Sequence, residues 1–192
     1  NLYPEGHPYN WQVIGEMEDL FNATVEDVKE FHSRFYVPNN ATLVVAGDIN
    51  PDETRSLVGK YFEEIPRGDQ VQDPEPMPVM LDQTRKLYHE DNFATTPRFT
   101  MVWPTVQQYS EDAYALDFLA EILSSGKKAP MYKVLVKQRK LTSSTSAYNR
   151  TRELAGSFRI TINANAGTSL AEVEDAIFES LRLFEEEGIT EK

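Results

Sequence analysis

The sequence predicts an α+β fold with two subdomains, in which helices pack on one face of mainly antiparallel sheets. Three observations lead to this fold class. Apolar residues recur at helical spacing in both halves, short β-branched runs stand between the helical stretches, and prolines gather near the middle of the 192-residue chain. The proline-rich stretch separates a first subdomain at residues 1–66 from a second at 85–192, with a linker at 67–84.

The first subdomain opens with an irregular aromatic segment, since Pro4 and Pro8 oppose a long helix there, and a short helix is expected around Met17–Leu20. The next helix begins after Thr24, a good N-cap that is followed by acidic residues in the first turn. Its apolar face follows three- and four-residue spacing. That face comprises Val28, Phe31 and Phe35.

A buried strand is predicted directly after this helix. Residues 41–47, with the sequence ATLVVAG, form a short β-branched apolar run that Pro38 separates from the helix. Asn50 and Pro51 then make a cap followed by a proline in the first turn, which predicts another helix. The inner face of that helix would consist of Leu57, Val58, Tyr61 and Phe62.

The second subdomain has the predicted order β-β-α-α-β-β-α. Strands are expected at 86–90 and 98–103, helices at 111–123 and 130–138, an antiparallel strand pair at 142–150 and 156–164, and a final helix from Thr168 or Ser169 to Gly188. In the last strand Phe158, Ile160 and Ile162 alternate with Arg159 and Thr161, so one face is buried and the other is exposed to solvent.

Composition excludes several classes of function. The formal net charge of −12 opposes binding to nucleic acid, which requires clustered Lys and Arg. The absence of cysteine excludes disulfides, thiolate metal sites and cysteine nucleophiles. No apolar run reaches the roughly 20 residues of a membrane-spanning helix. The sequence does not fix the compartment, and the bacterial periplasm and the cytoplasm both agree with it.

No reaction centre is visible in the residues themselves. The three histidines, His7, His32 and His89, belong to no pattern that places two imidazoles on one helical face, so no metal ligand is predicted. Nucleophile and phosphate-loop motifs are missing, and acidic runs such as Glu185–Glu187 are typical of solvated helix faces. We therefore predict no catalytic residue and no metal-binding residue in this chain, and the substrate-binding residues remain unknown.

A specific family resemblance begins at Gly6. The matching elements are Gly6-His7-Pro8-Tyr9, Gly15 with Asp19-Leu20, Thr24-x-x-Asp27-x-x-x-Phe31, Tyr36-x-Pro38-x-Asn40 and the strand end Gly47-Asp48. In this order and spacing they resemble the segment that follows the active-site helix in zinc peptidases of the pitrilysin/insulinase family. Weaker similarity continues through residues 119–135, 141–147 and 156–158.

The resemblance implies an architecture and an activity. Family domains consist of two similar α+β subdomains, so residues 1–66 would be the C-terminal part of the first subdomain. The zinc motif HxxEH and a distal Glu ligand lie upstream of the matching segment. The longer protein is thus expected to be a zinc metalloendopeptidase that hydrolyses oligopeptides or unfolded segments in a chamber closed by a second homologous half or subunit. This piece would hold no zinc and would be inactive alone.

Two questions stay open at this point. Many family members carry an Arg and, seven residues later, a Tyr that contact substrate, whereas this sequence has Val136 and Ser143 there. The chain therefore derives either from the zinc-bearing half of a peptidase or from a non-catalytic scaffold or core subunit that pairs with an active half. Likewise, His7, Pro8, Tyr9 and Trp11 either brace the domain surface or shape the floor of the cleft.

Overall fold

The computed structural model of this chain describes residues 2–189. It divides into two compact units. The helical unit is Trp11–Asp73, and the sheet unit combines Asn1–Asn10 with Pro74–Lys192. The division falls inside the proline-rich segment at 67–84. As subdomain bounds of a longer protein, the ranges 1–66 and 85–192 remain predictions.

The helical unit contains α1 (Met17–Asn22), α2 (Val25–Phe35), a 3₁₀ turn at Pro38–Asn40 and α3 (Pro51–Phe62). Both predicted caps are confirmed. The Thr24 hydroxyl accepts a hydrogen bond from the Asp27 N–H at 3.2 Å, and the Asn50 side chain accepts from Asp52 and Glu53 at 3.0 and 3.3 Å. Each cap satisfies amide groups that the first turn of a helix leaves without a partner.

The predicted strand at 41–47 does not form in the helical unit. These residues have no regular structure, and Val44 is 79% exposed. A strand needs neighbours to pair its backbone N–H and C=O groups, and the described residues of this unit contain no other strand. The apolar faces of the helices are also left uncovered in this unit, since none of the residues in α1, α2 or α3 is buried.

The sheet unit is an α+β layer, as predicted. Its strands are β1 (Arg98–Thr105), β2 (Ser146–Arg150) and β3 (Gly156–Asn163), and its helices are α4 (Glu111–Ser124), a π-helix at Tyr132–Gln138 and α5 (Leu170–Glu187). The sheet is antiparallel with the order β1-β3-β2. The helices cover one face of the sheet, which confirms the fold class. No helix in residues 2–189 is long and apolar enough to cross a membrane.

The core lies between that face and the helices. The alternation predicted for the last strand is confirmed, because Ile160 and Ile162 of β3 are fully buried while Arg159 and Thr161 are partly exposed. The helices contribute the remaining fully buried large apolar side chains. These are Leu123, Met131, Val134, Leu135, Val173 and Ile177.

Gly156 is the entry point of β3 and has no room for a side chain. A Cβ atom at this position would overlap the carbonyl oxygen of Val106, which is backbone and cannot rotate away. Glycine therefore lets the start of β3 lie close to the end of β1. In the Gly156-Ser157-Phe158 sequence, Gly156 thus allows the close approach of the backbone, and Phe158 is the first residue of the strand that enters the core.

Two strand predictions in the sheet unit differ from the structure. Residues 86–90 form no strand, and Tyr88 is 84% exposed. The strand predicted from Thr142 begins at Ser146, because the Thr142 hydroxyl bonds to the Asn163 carbonyl at 2.7 Å and the chain leaves the ladder after one bridge to Ala164.

The helix predicted at 130–138 is confirmed, and its residues Tyr132–Gln138 form a π-helix. In it the Arg139 N–H donates to Val134, five residues back, at 2.9 Å. The sequence pattern does not distinguish the two helix types, because inward residues at 131, 134 and 135 fit either one.

We expect Ile160→Ala to lower the free energy of unfolding of the sheet unit by about 2–5 kcal/mol, because it leaves a cavity in a fully buried position. Ile189→Ala is the matched control at a 74% exposed position and should cost less than about 0.5 kcal/mol. Urea unfolding followed by Trp103 fluorescence in a Trp11→Phe background measures both. Equal losses in the two variants would contradict this placement of the core.

Candidate functional site

The segment that carries the family resemblance, Gly6 to Tyr9, is anchored in the sheet unit. His7 is 4% exposed. Its Nε2 atom lies 3.1 Å from the Met77 carbonyl oxygen, and its Nδ1 accepts the Tyr9 backbone N–H at 3.0 Å. Because a carbonyl oxygen can only accept, Nε2 carries the proton, and the neutral ring uses both nitrogens within the fold.

Tyr9 ties the same segment to the loop before β3. Its hydroxyl accepts the Leu154 backbone N–H at 3.1 Å, and Leu154 in turn accepts the Met77 N–H at 2.8 Å. The rings of Tyr3, His7 and Tyr9 form one aromatic cluster with centroids 4.6 to 5.4 Å apart. Residues 2–10, the N-terminal strip, are thus fastened to two loops that are distant in sequence.

These contacts favour the bracing role for His7 and Tyr9. Both ring nitrogens of His7 are occupied by protein groups, so the side chain offers no lone pair to a metal or a substrate. Trp11, the other aromatic residue considered for this role, is 57% exposed in the helical unit.

A zinc ion does not fit the described residues. Within 2–189 no group of three or more His, Asp or Glu side chains is placed to hold a metal, and the chain has no cysteine. His32 and His89 are exposed, and His32 stacks on Tyr36 with ring centroids 4.9 Å apart. A catalytic zinc site needs three converging protein ligands and an open position, which this arrangement does not supply.

The positions that differ from the Arg–Tyr pattern lie around the π-helix. Val136 is a half-buried residue of that helix, and Ser143 is exposed in the bend that follows Thr142. Neither residue carries a cationic or phenolic group, so neither can donate a hydrogen bond to substrate in the way the family pair does.

A group of polar residues that was not predicted from the sequence lies on the opposite face of the sheet. Arg150, Arg152 and Arg159 come together beside Tyr3 and Tyr9. Burial raises the pKa of Tyr3, and the positive charges of the three guanidinium groups act in the opposite direction. The sequence does contain one indication of this group, since its three arginines fall within a span of ten residues although the chain is strongly acidic. The two tyrosines, however, lie about 140 residues away in sequence, so their proximity could not be predicted.

Residues 22–192 match the family described as "Peptidase M16 inactive domain". The chain belongs to the peptidase M16 family. This confirms the resemblance to the pitrilysin/insulinase zinc peptidases. It also explains why the resemblance extends over most of the chain, although the zinc motif is not part of it.

Several relatives of this M16 chain are described as zinc proteases or proteases. It is 32% identical over 147 residues to "Zinc protease PqqE" of Helicobacter pylori, a match over 74% of this chain and 33% of that protein. The crystal structure of a protease from Helicobacter pylori superposes with a TM-score of 0.77 and 27% identity, covering 96% of this chain and 45% of that one. The first half of the periplasmic protease PqqL from Escherichia coli shares the fold, with a TM-score of 0.64, 18% identity and coverage of 93% and 39%.

The chain therefore spans less than half of the length of these relatives. One of them is itself described as one half of a larger protease.

We expect His7→Ala to lower the free energy of unfolding of the sheet unit by about 1–3 kcal/mol, because the Met77 carbonyl and the Tyr9 N–H lose their partner. His32→Ala replaces an exposed histidine and should change it by less than about 0.5 kcal/mol. Thermal or urea unfolding of the two variants checks this. A similar cost for both would mean that His7 does not brace the strip.

Proposed function

We propose that this chain is the non-catalytic remainder of the zinc-bearing half of a zinc metalloendopeptidase. The observation that supports it best is the match of residues 22–192 to the inactive domain of a zinc protease family. The zinc ligands of the longer protein, HxxEH and a distal Glu, would precede the Gly6–Tyr9 segment. They would supply the activated water that attacks the peptide bond.

The substrates that we propose are oligopeptides or unfolded segments. Such a peptidase would enclose them between this half and a second homologous half or subunit, which excludes folded proteins. The role of this chain would be structural. Its sheet unit would form part of the chamber wall. The N-terminal strip, which would follow the active-site helix, would be held in place by the contacts of His7 and Tyr9.

The exposed apolar faces of the helical unit support the proposal that it is completed by residues upstream. Phe21 is 80% exposed, Phe31 57% and Val44 79% within one small unit. Burying apolar surface of this kind contributes roughly 25 cal/mol per Å². In the proposed protein, the run at 41–47 would become a strand of the first subdomain, paired with strands that the upstream part supplies.

A second candidate is a scaffold or core subunit with the same fold that has no zinc site in the longer protein. Val136 and Ser143, in place of the substrate-contacting Arg and Tyr, agree with this candidate as well as with the first one. In that case the protein would act only together with an active homologous half.

For the peptidase, we expect the full-length protein to cleave a quenched, unstructured peptide, to lose this activity in EDTA and to regain it with zinc. The 192-residue chain should show no zinc-dependent cleavage, since its described residues hold no metal ligand group. A disulfide-locked folded protein is the control substrate and should resist cleavage.

Two outcomes would overturn parts of this proposal. EDTA-sensitive cleavage by the 192-residue chain would contradict the position of the zinc ligands. A full-length protein that binds no zinc and cleaves only after a homologous active half is added would establish the scaffold instead.

For the completed subdomain, we expect the amides of residues 41–47 to exchange slowly with deuterium in the full-length protein and within seconds in the 192-residue chain. Paired strand amides are protected from exchange, whereas those of an exposed, unpaired segment are not. Amides 158–162 of β3 are the internal control and should be protected in both. Fast exchange at 41–47 in both proteins would reject the upstream pairing.

A further inference from the structure

The outer face of the sheet, opposite the helices, carries a pocket of about 220 Å³. Its polar lining consists of Tyr3, Tyr9, Arg150, Arg152, Ser157 and Arg159. Strand register accounts for the placement, because Arg150 pairs with Ser157 and Tyr148 with Arg159, which puts both arginines on the face that the core does not use. The N-terminal strip closes one side of the pocket with its two tyrosines.

Every polar side chain in this lining can donate a hydrogen bond, and no carboxylate lines the pocket. The ion pairs among the described residues use Lys86, Lys133 and Arg139, so none neutralises the three arginines of the pocket. Three like charges repel one another at close range, and an anion between them relieves that repulsion. In a chain with a net charge of −12, a cationic pocket without acidic partners needs a specific explanation.

Two of the arginines are held in place before any ligand binds. The Nε of Arg159 donates to the Ser157 hydroxyl at 3.2 Å, and Ser157 is 1% exposed. The guanidinium of Arg152 lies over the ring of Tyr9, 4.9 Å from its centroid. A guanidinium positioned in this way loses less side-chain freedom when it binds an oxyanion.

The tyrosines add neutral donors. The Tyr9 hydroxyl already accepts the Leu154 N–H, which leaves its own proton free to donate. Burial raises the pKa of Tyr3, so its hydroxyl keeps its proton throughout the neutral range. The pocket is smaller than the roughly 300–1,000 Å³ of typical sites for drug-sized ligands, so it suits one oxyanion group rather than a large molecule.

We propose that this pocket binds a single carboxylate or phosphate group, held by Arg150, Arg152 and Arg159. Carboxylate and phosphate groups both present two oxygens that accept paired hydrogen bonds from a guanidinium group, and the charge of the anion strengthens each bond. The group belongs either to a free phosphate or to an acidic side chain of a peptide. The pocket would bind it whether or not the longer protein cleaves peptides.

The test is isothermal titration of the full-length protein with two probes, inorganic phosphate and the peptide acetyl-Gly-Glu-Gly-amide. The Gln analogue of the peptide is the neutral control. We expect at least one acidic probe to bind and the Gln analogue not to bind. Arg152→Gln and Arg159→Gln should each weaken binding by about tenfold or more, since each removes a charged donor. Arg182→Gln, on the exposed surface of α5, should leave binding unchanged.

If Arg152→Gln or Arg159→Gln fails to fold, Arg150→Gln takes its place, because Arg150 is exposed and its loss leaves the packing intact. This variant should also weaken binding. Binding of phosphate alone identifies a free anion as the ligand, and binding of the peptide alone identifies a peptide carboxylate. The proposal is overturned if neither probe binds the unaltered protein, or if the folded arginine variants bind as tightly as it does.

Discussion

The central strand β3 is the element on which the rest of the sheet unit depends. It is hydrogen-bonded on both sides, to β1 and to β2, and its two-residue alternation assigns opposite chemistry to its faces. Ile160 and Ile162 enter the core beneath the helices, while Ser157 and Arg159 face the N-terminal strip. A shift of one residue in its pairing would exchange the two faces, so a single register determines both the core and the cationic pocket.

Local signals predicted the helices better than the strands. Thr24 and Asn50 were recognisable as N-caps because capping involves residues two or three positions away, and the side chains of both accept the expected backbone hydrogen bonds. The strands at 41–47 and 86–90 had suitable apolar character but found no partner among the described residues. The composition of a segment shows that it can join a sheet, but whether it does so depends on pairing strands that lie in other parts of the sequence.

The candidate site was predictable only in part, for a similar reason. The Gly6–Tyr9 segment was identified from its sequence, but the partners of His7 and Tyr9 lie 70 and 145 residues away. Only the folded chain shows that the buried histidine is a neutral brace whose nitrogens are both occupied. In sequence, Arg150 and Arg159 fit an ordinary solvent-exposed strand face, and it is the N-terminal strip that places Tyr3 and Tyr9 beside them in one pocket.

The path of the chain through the two units determines what a proteolytic cut would separate. The helical unit is inserted into the sheet unit, because the polypeptide leaves the sheet unit after Asn10 and returns at Pro74. A single nick in the inserted part therefore removes the covalent link between the N-terminal strip and the sheet, yet the bonds of His7 to Met77 and of Tyr9 to Leu154 persist. The piece that carries the strip is then held to the rest of the sheet unit by non-covalent contacts alone, and the fraction that stays bound depends on concentration.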